Sequence, residues 1–169
     1  RAQLKAITNQ ALQHMHELRT SEDIRHIKVC LERYEGTVDE QCASAWLQLK
    51  QWKDALISAA REEMRQLSSI PVDAQDVDIS TIDAALESYE SYGESCLAST
   101  IAALRAHRNE LDGATTDFVL QMEQLVSRKS NDCASIDTLL ARHHNHASPQ
   151  VRAARQRLSL YRTELVNDA

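Results

Sequence analysis

Glycine and proline are scarce in this 169-residue chain, with Gly 3 and Pro 2. That leaves too little turn material for a β-sandwich or barrel, and none of the glycine loop of a Rossmann fold. Aromatic residues are few: two Trp, four Tyr and one Phe. No apolar run approaches the roughly 20 residues that a membrane helix needs, so membrane insertion is not expected. The chain opens at Arg1 with no basic-then-apolar leader and no cleavage site, and so reads as a piece of something longer. The four cysteines, Cys30, Cys42, Cys96 and Cys133, stand singly. Their even number allows two disulfides. Three of them, however, fall on apolar positions of helical patterns, where a free thiol packs as a small hydrophobe. The expectation is reduced cysteines and an intracellular location, cytoplasmic or cytoskeletal.

What the chain does have is an ordinary globular balance, 26% charged and 43% hydrophobic, which argues against disorder. A compact chain of this size removes roughly 68–70% of its unfolded surface from water, enough for a real core.

The sequence also repeats itself. Asp23, Ile24, Ile27, Leu31 and Tyr34 return as Asp78, Ile79, Ile82, Leu86 and Tyr89, and again as Asp132, Cys133, Ile136, Leu140 and His143. Downstream, Trp46, Leu49, Trp52 and Leu56 correspond to Ile101, Leu104, His107 and Leu111, then to Arg155, Leu158, Tyr161 and Leu165. The N-terminal stretch fits too, with Leu4, Leu12 and Met15 set against Leu56, Met64 and Leu67. The approximate units are 1–22 (partial), 23–77, 78–131 and 132–169 (partial), with a period of about 54–55 residues and insertions at 68–77 and 128–131.

Within a unit the spacing is helical. Ile24, Ile27, Leu31 and Tyr34 form one stripe on a short helix. The aspartate before each stripe is placed to cap the helix and to meet its positive end. The short helices end near Gly36 and Gly93, Thr37-x-x-Glu40 reads as a capping box, and Ser148-Pro149 opens the last helix. The second helix of each unit is long, from Val38 to Ser68 and from about Glu94 to Arg128, with Gly113 as a candidate bend. Each short helix is thus flanked by the end of one long helix and the start of the next. The fold expected is all-α: tandem short-helix/long-helix repeats forming an elongated array of small three-helix bundles. In plan this resembles spectrin-type rods, whose helices are much longer. The alternative is an α-hairpin solenoid, although the tetratricopeptide Trp-Leu-Gly-Tyr pattern is absent and the period is too long for it. Apolar stripes at both ends (Leu4, Ile7, Ala11, Leu12 and Met15; Leu158, Tyr161 and Leu165) suggest an interior segment of a longer array. Burial is expected of Trp46, Leu49, Leu56, Ile82, Leu86, Leu104 and Leu111.

Charge is uneven. Residues 1–71 balance ten basic against ten acidic side chains, 72–127 hold two against eleven, and 128–169 hold seven against four. Solvated helix faces account for most of this, and an acidic middle with a basic end can set partner choice. The net charge of −6 lacks the electrostatic footprint of a nucleic-acid binder, despite Arg152, Arg155, Arg157 and Arg162.

His143, His144 and His146 cluster, as do His14 and His16, but a closed metal site needs about four converging ligands. His143 takes the place of Tyr34 and Tyr89 and is expected to pack partly, whereas His144 and His146 fall in a turn facing water. No Glu-x-x-His pairing supports a di-iron bundle, and no Ser/His/Asp or Cys/His set can be assembled. Trp46, Trp52, Tyr34, Tyr89, Tyr92 and Tyr161 recur at helical spacing and read as core rather than as a ligand-stacking set. No catalytic, cofactor-binding or metal residues are therefore assigned. The expectation is a non-catalytic structural or scaffold protein, a helical-repeat spacer whose partners are other proteins and neighbouring repeats, with no small-molecule substrate. The alternative is an interaction module holding a partner helix or peptide in a groove between repeats. A contiguous exposed apolar patch is what would distinguish the second.

Overall fold

The computed structural model describes residues 2–74 and 78–167, with side chains from residue 6 onward. Among these the chain is all-helical, with no strand. The order is α1 (Ala2–Leu18), α2 (Ile24–Arg33), α3 (Glu40–Ser68), α4 (Ile79–Glu90), a 3-10 turn (Ser95–Leu97), α5 (Ala98–Ser127), α6 (Cys133–Arg142) and α7 (Pro149–Asn167). The backbone divides into two compact units, residues 1–65 with 87–101, and residues 66–86 with 102–169.

The short helices start where an aspartate satisfies their free N–H groups. Asp23 accepts from the backbone N–H of Arg25 and His26, and Asp132 from that of Ser135. Just before each, a serine hydroxyl receives the aspartate's own N–H, Ser21 at 3.1 Å and Ser130 at 3.3 Å. Asp78 accepts from Ser80 N–H ahead of α4. The turn after α2 passes through Gly36 at φ 76°, a left-handed conformation that costs glycine nothing.

The expected Thr37 capping box does not form. Asp39 caps α3 by accepting from Cys42 N–H at 3.0 Å, while the Thr37 hydroxyl donates back to the Tyr34 carbonyl. Helix α3 consequently begins at Glu40, and Val38 is left 99% exposed. Pro149 is the first residue of α7, as expected, and the Ser148 backbone carbonyl accepts from Arg152 N–H. Helix α5 runs through Gly113 without interruption.

In the first unit one core gathers Ala11 and Met15 of α1, Ile27, Cys30 and Leu31 of α2, and Cys42, Ala45 and Leu49 of α3. Leu12, Tyr34, Trp46, Trp52 and Leu56 pack around it half-buried. Trp46 and Leu56 are thus half-buried flankers of the core rather than fully buried members of it. Leu4 lies outside the residues whose side chains are described, and Ile7 is exposed, so the α1 stripe begins at Ala11. Burial also alters the expected register: Ala11 and Met15 match Ala60 and Met64, while Leu67 is only half-buried.

In the second unit Met122 of α5, Ile136 of α6, and Val151, Ala154 and Leu158 of α7 form a corresponding core, flanked by Phe118, Leu139, Leu140, Tyr161 and Leu165. Corresponding positions of the three sequence repeats are buried alike. Ile27, Ile82 and Ile136 are completely buried, and so are Leu49, Leu104 and Leu158. Cys42, Leu97 and Val151 follow the same pattern.

Candidate functional site

Polar side chains hold the helices together at recurring positions. In the first unit the Trp46 indole donates to the Leu31 carbonyl at 2.8 Å, and the Trp52 indole to the Ser21 carbonyl at 2.8 Å. In the second, Arg155 donates to the Leu140 carbonyl at 3.2 Å and Tyr161 to the Ser130 carbonyl at 3.2 Å. Donor and acceptor are 15 residues apart in the first clamp of each unit and 31 apart in the second. Trp46, Trp52 and Tyr161 are therefore spent on joining helices, and Tyr34 packs against the first core. His107 holds the matching place between Trp52 and Tyr161, but residue 76, where its acceptor would stand, lies outside the described residues.

An ion pair recurs as well. Arg108 grips Asp83 through two nitrogens at 2.9 and 3.3 Å, and Arg162 grips Asp137 in the same way at 2.9 and 3.1 Å. The first repeat carries Lys28 and Lys53 at these positions, two cations and no carboxylate. Glu94 supplies it, lying 3.1 Å from Lys53 and 3.7 Å from Lys28. Three of the seven basic residues of the C-terminal stretch are occupied in this way: Arg155 and Arg162 are bonded as above, and Arg157 pairs with Glu123 at 3.2 Å.

The α6–α7 turn departs furthest from expectation. His143 is only 2% exposed and His146 only 5%, so His146 faces the interior rather than water. Their rings lie 5.8 Å apart, and Phe118 of α5 stacks on His143 at 4.3 Å and meets His146 edge-on at 5.9 Å. Neither nitrogen of His143 has a hydrogen-bond partner, whereas His146 Nδ1 accepts from Ser148 N–H at 3.1 Å. Burial pushes both imidazoles below their ordinary range, and for His143 the neighbouring His146 and Arg142 push the same way. His144 is exposed. Sequence spacing alone did not bring His146 inward. The available signal was Phe118, the one Phe of the chain, which needs ring partners.

Among the described residues no three His, Cys, Asp or Glu side chains converge as a metal set. The cysteines are free thiols. Burial raises the Cys30 thiol above its ordinary range, and burial together with Asp39 raises that of Cys42, so neither favours the thiolate a nucleophile needs. A cleft of about 710 Å³ lies between α5 and α6, with Gln121, Leu125, Arg128, Ser135, Thr138 and Leu139 among its walls. It offers one cation, several neutral hydrogen-bonding groups and two leucines. No described helix is long and apolar enough to cross a membrane. No family model matches the chain, and no match to it was found among curated proteins or solved structures.

Proposed function

We propose that the chain is a non-catalytic structural protein, an array of three-helix units that spans distance and presents surfaces to other proteins inside the cell. The observation carrying this reading is the recurrence of the same clamps. Two side chains reach the same two backbone carbonyls around α2 and around α6, at matching positions of the repeat. Trp46, Trp52, Arg155 and Tyr161 are committed to joining helices. Exposed large apolar side chains are scattered: Ile7 on α1, Val29 on α2, Leu47 on α3, Leu120 on α5, and Leu160 and Val166 on α7. No two of these stand three or four residues apart on one helix, as a continuous docking stripe requires. This distribution favours a spacer over a groove binder. Free thiols at Cys30 and Cys42 fit a reducing compartment.

The test is to insert one and then two further copies of residues 78–131 after Asn131, where Asp78 takes over the capping place of Asp132. X-ray scattering then follows the maximum dimension. A spacer grows by a constant increment per copy at unchanged helicity per residue. Growth only with the cube root of mass, as for a single globule, contradicts the proposal.

A further inference from the structure

We propose that His143 and His146 form an acid-sensitive latch, in which protonation of either ring releases the α6–α7 turn from α5 and opens that end of the second unit. The geometry assigns each ring its part. His146 Nδ1 accepts the Ser148 N–H, so its proton sits on Nε2 and the Nδ1 lone pair holds the residue that precedes Pro149, the first residue of α7. A second proton has only Nδ1 to occupy. There it destroys that bond and sets two donors against each other. His143 has no acceptor for either nitrogen, so an imidazolium at that place is buried and unpaired.

The charges facing the pair from each neighbouring element do not offset this. On α6, Arg142 is a cation, and its guanidinium lies 6.0 Å from the Phe118 ring. On α5, the residues beside Phe118 are neutral Val119 and exposed Asp117. On α7, the first charged residues are Arg152 and Arg155. In the turn, His144 is exposed and contacts Asn145. Among the described residues no carboxylate is paired with either ring. The C-terminal end of α6 favours a cation, but exposed Arg142 already fills that role, whereas a cation on His143 would have to be desolvated.

The sign follows from the linkage of protons to folding. A base that titrates lower when folded leaves the unfolded state binding more protons, so stability falls as pH drops below the ordinary imidazole value of about 6.5. Each proton taken up on opening multiplies the opening equilibrium about tenfold per pH unit within that window. The first unit carries Tyr34 where the second carries His143, and it lacks this device.

The experiment is hydrogen exchange resolved by segment between pH 7.5 and 5.5, corrected for intrinsic exchange. It compares the whole wild-type chain with a variant carrying His143→Leu and His146→Asn, whose amide oxygen can still accept from Ser148. The expected result is that residues 133–158 of the wild type lose at least tenfold more protection than residues 24–49. In the variant this excess disappears. Equal losses in both segments, or an excess that persists in the variant, overturns the proposal. Should the variant fail to fold, the wild-type imidazole NMR titration decides. Midpoints below about 6.5 for both rings support the latch, and a midpoint at or above it for both refutes it.

Discussion

The cores around α2 and α6 occupy the same repeat positions with different chemistry. Around α2 the clamps are two indoles, and the cation pair at Lys28 and Lys53 takes its carboxylate from Glu94. Around α6 the clamps are a guanidinium and a phenol, and the ion pair Asp137–Arg162 is complete within the repeat. What stays constant is the acceptor: a backbone carbonyl in the last helical turn at Leu31 and Leu140, and a loop carbonyl at Ser21 and Ser130. Trp, Arg and Tyr all fill that role through an N–H or O–H at the tip of a long side chain, whereas the middle repeat carries Ile101 at the first clamp position, where no side-chain donor exists. Substitution at Tyr34 was less neutral. Placing His143 there kept the packing and brought in a titratable group.

The largest expected effect treats the two cores alike. Leu49→Ala and Leu158→Ala should each cost about 2–5 kcal/mol in urea unfolding, the range for truncating a packed leucine. Both residues are completely buried at the same repeat position. A loss under half a kcal/mol at either one would break the equivalence. Next, Glu94→Ala should destabilise the first unit by about 1–3 kcal/mol, because it leaves two lysines facing each other. Segment-resolved exchange should place that loss in residues 24–53. A loss of similar size in 133–158 would contradict a local role for Glu94.

Smaller effects separate the clamps. Tyr161→Phe keeps the ring and removes one bond to the Ser130 carbonyl, which should cost about 0.5–1.5 kcal/mol. Melting of that variant at several protein concentrations checks the figure. The smallest effect concerns the caps. Asp23 and Asp132 lie below the ordinary carboxylate range, held there chiefly by the N–H groups of His26 and Arg25 at Asp23, and by the hydroxyl and N–H of Ser135 at Asp132. Their folded values are lowered, so their contribution is full above about pH 4 and fades as pH falls further. Asp132→Ala should therefore flatten the acid limb below pH 4 and leave the histidine window between pH 7 and 5 untouched. A change in the upper window would mean that the cap and the latch are not separate.

Much of this architecture was legible in the sequence. The helix-period stripes and the aspartates at 23, 78 and 132 were enough to place the short helices. What remained hidden depended on three-dimensional competition. Thr37 and Asp39 are both good caps, and only the geometry of the turn after Gly36 settles the choice on Asp39. Leu12 looks more core-like than Ala11 in sequence, yet Ala11 is the residue the core buries while Leu12 packs at its edge. Glu94 is remote in sequence from the lysines it joins, and His146 reads as a polar turn residue until Phe118 is placed beside it.

The most direct measurement of the central claim, that one structural unit recurs along the chain, is urea unfolding of the chain carrying zero, one and two inserted copies of residues 78–131. The account predicts that the dependence on urea steepens and that stability rises with each copy, as every new unit adds its own core and one more interface. Inserted segments that lower the helicity per residue, or that unfold separately at lower urea than the parent chain, would contradict it.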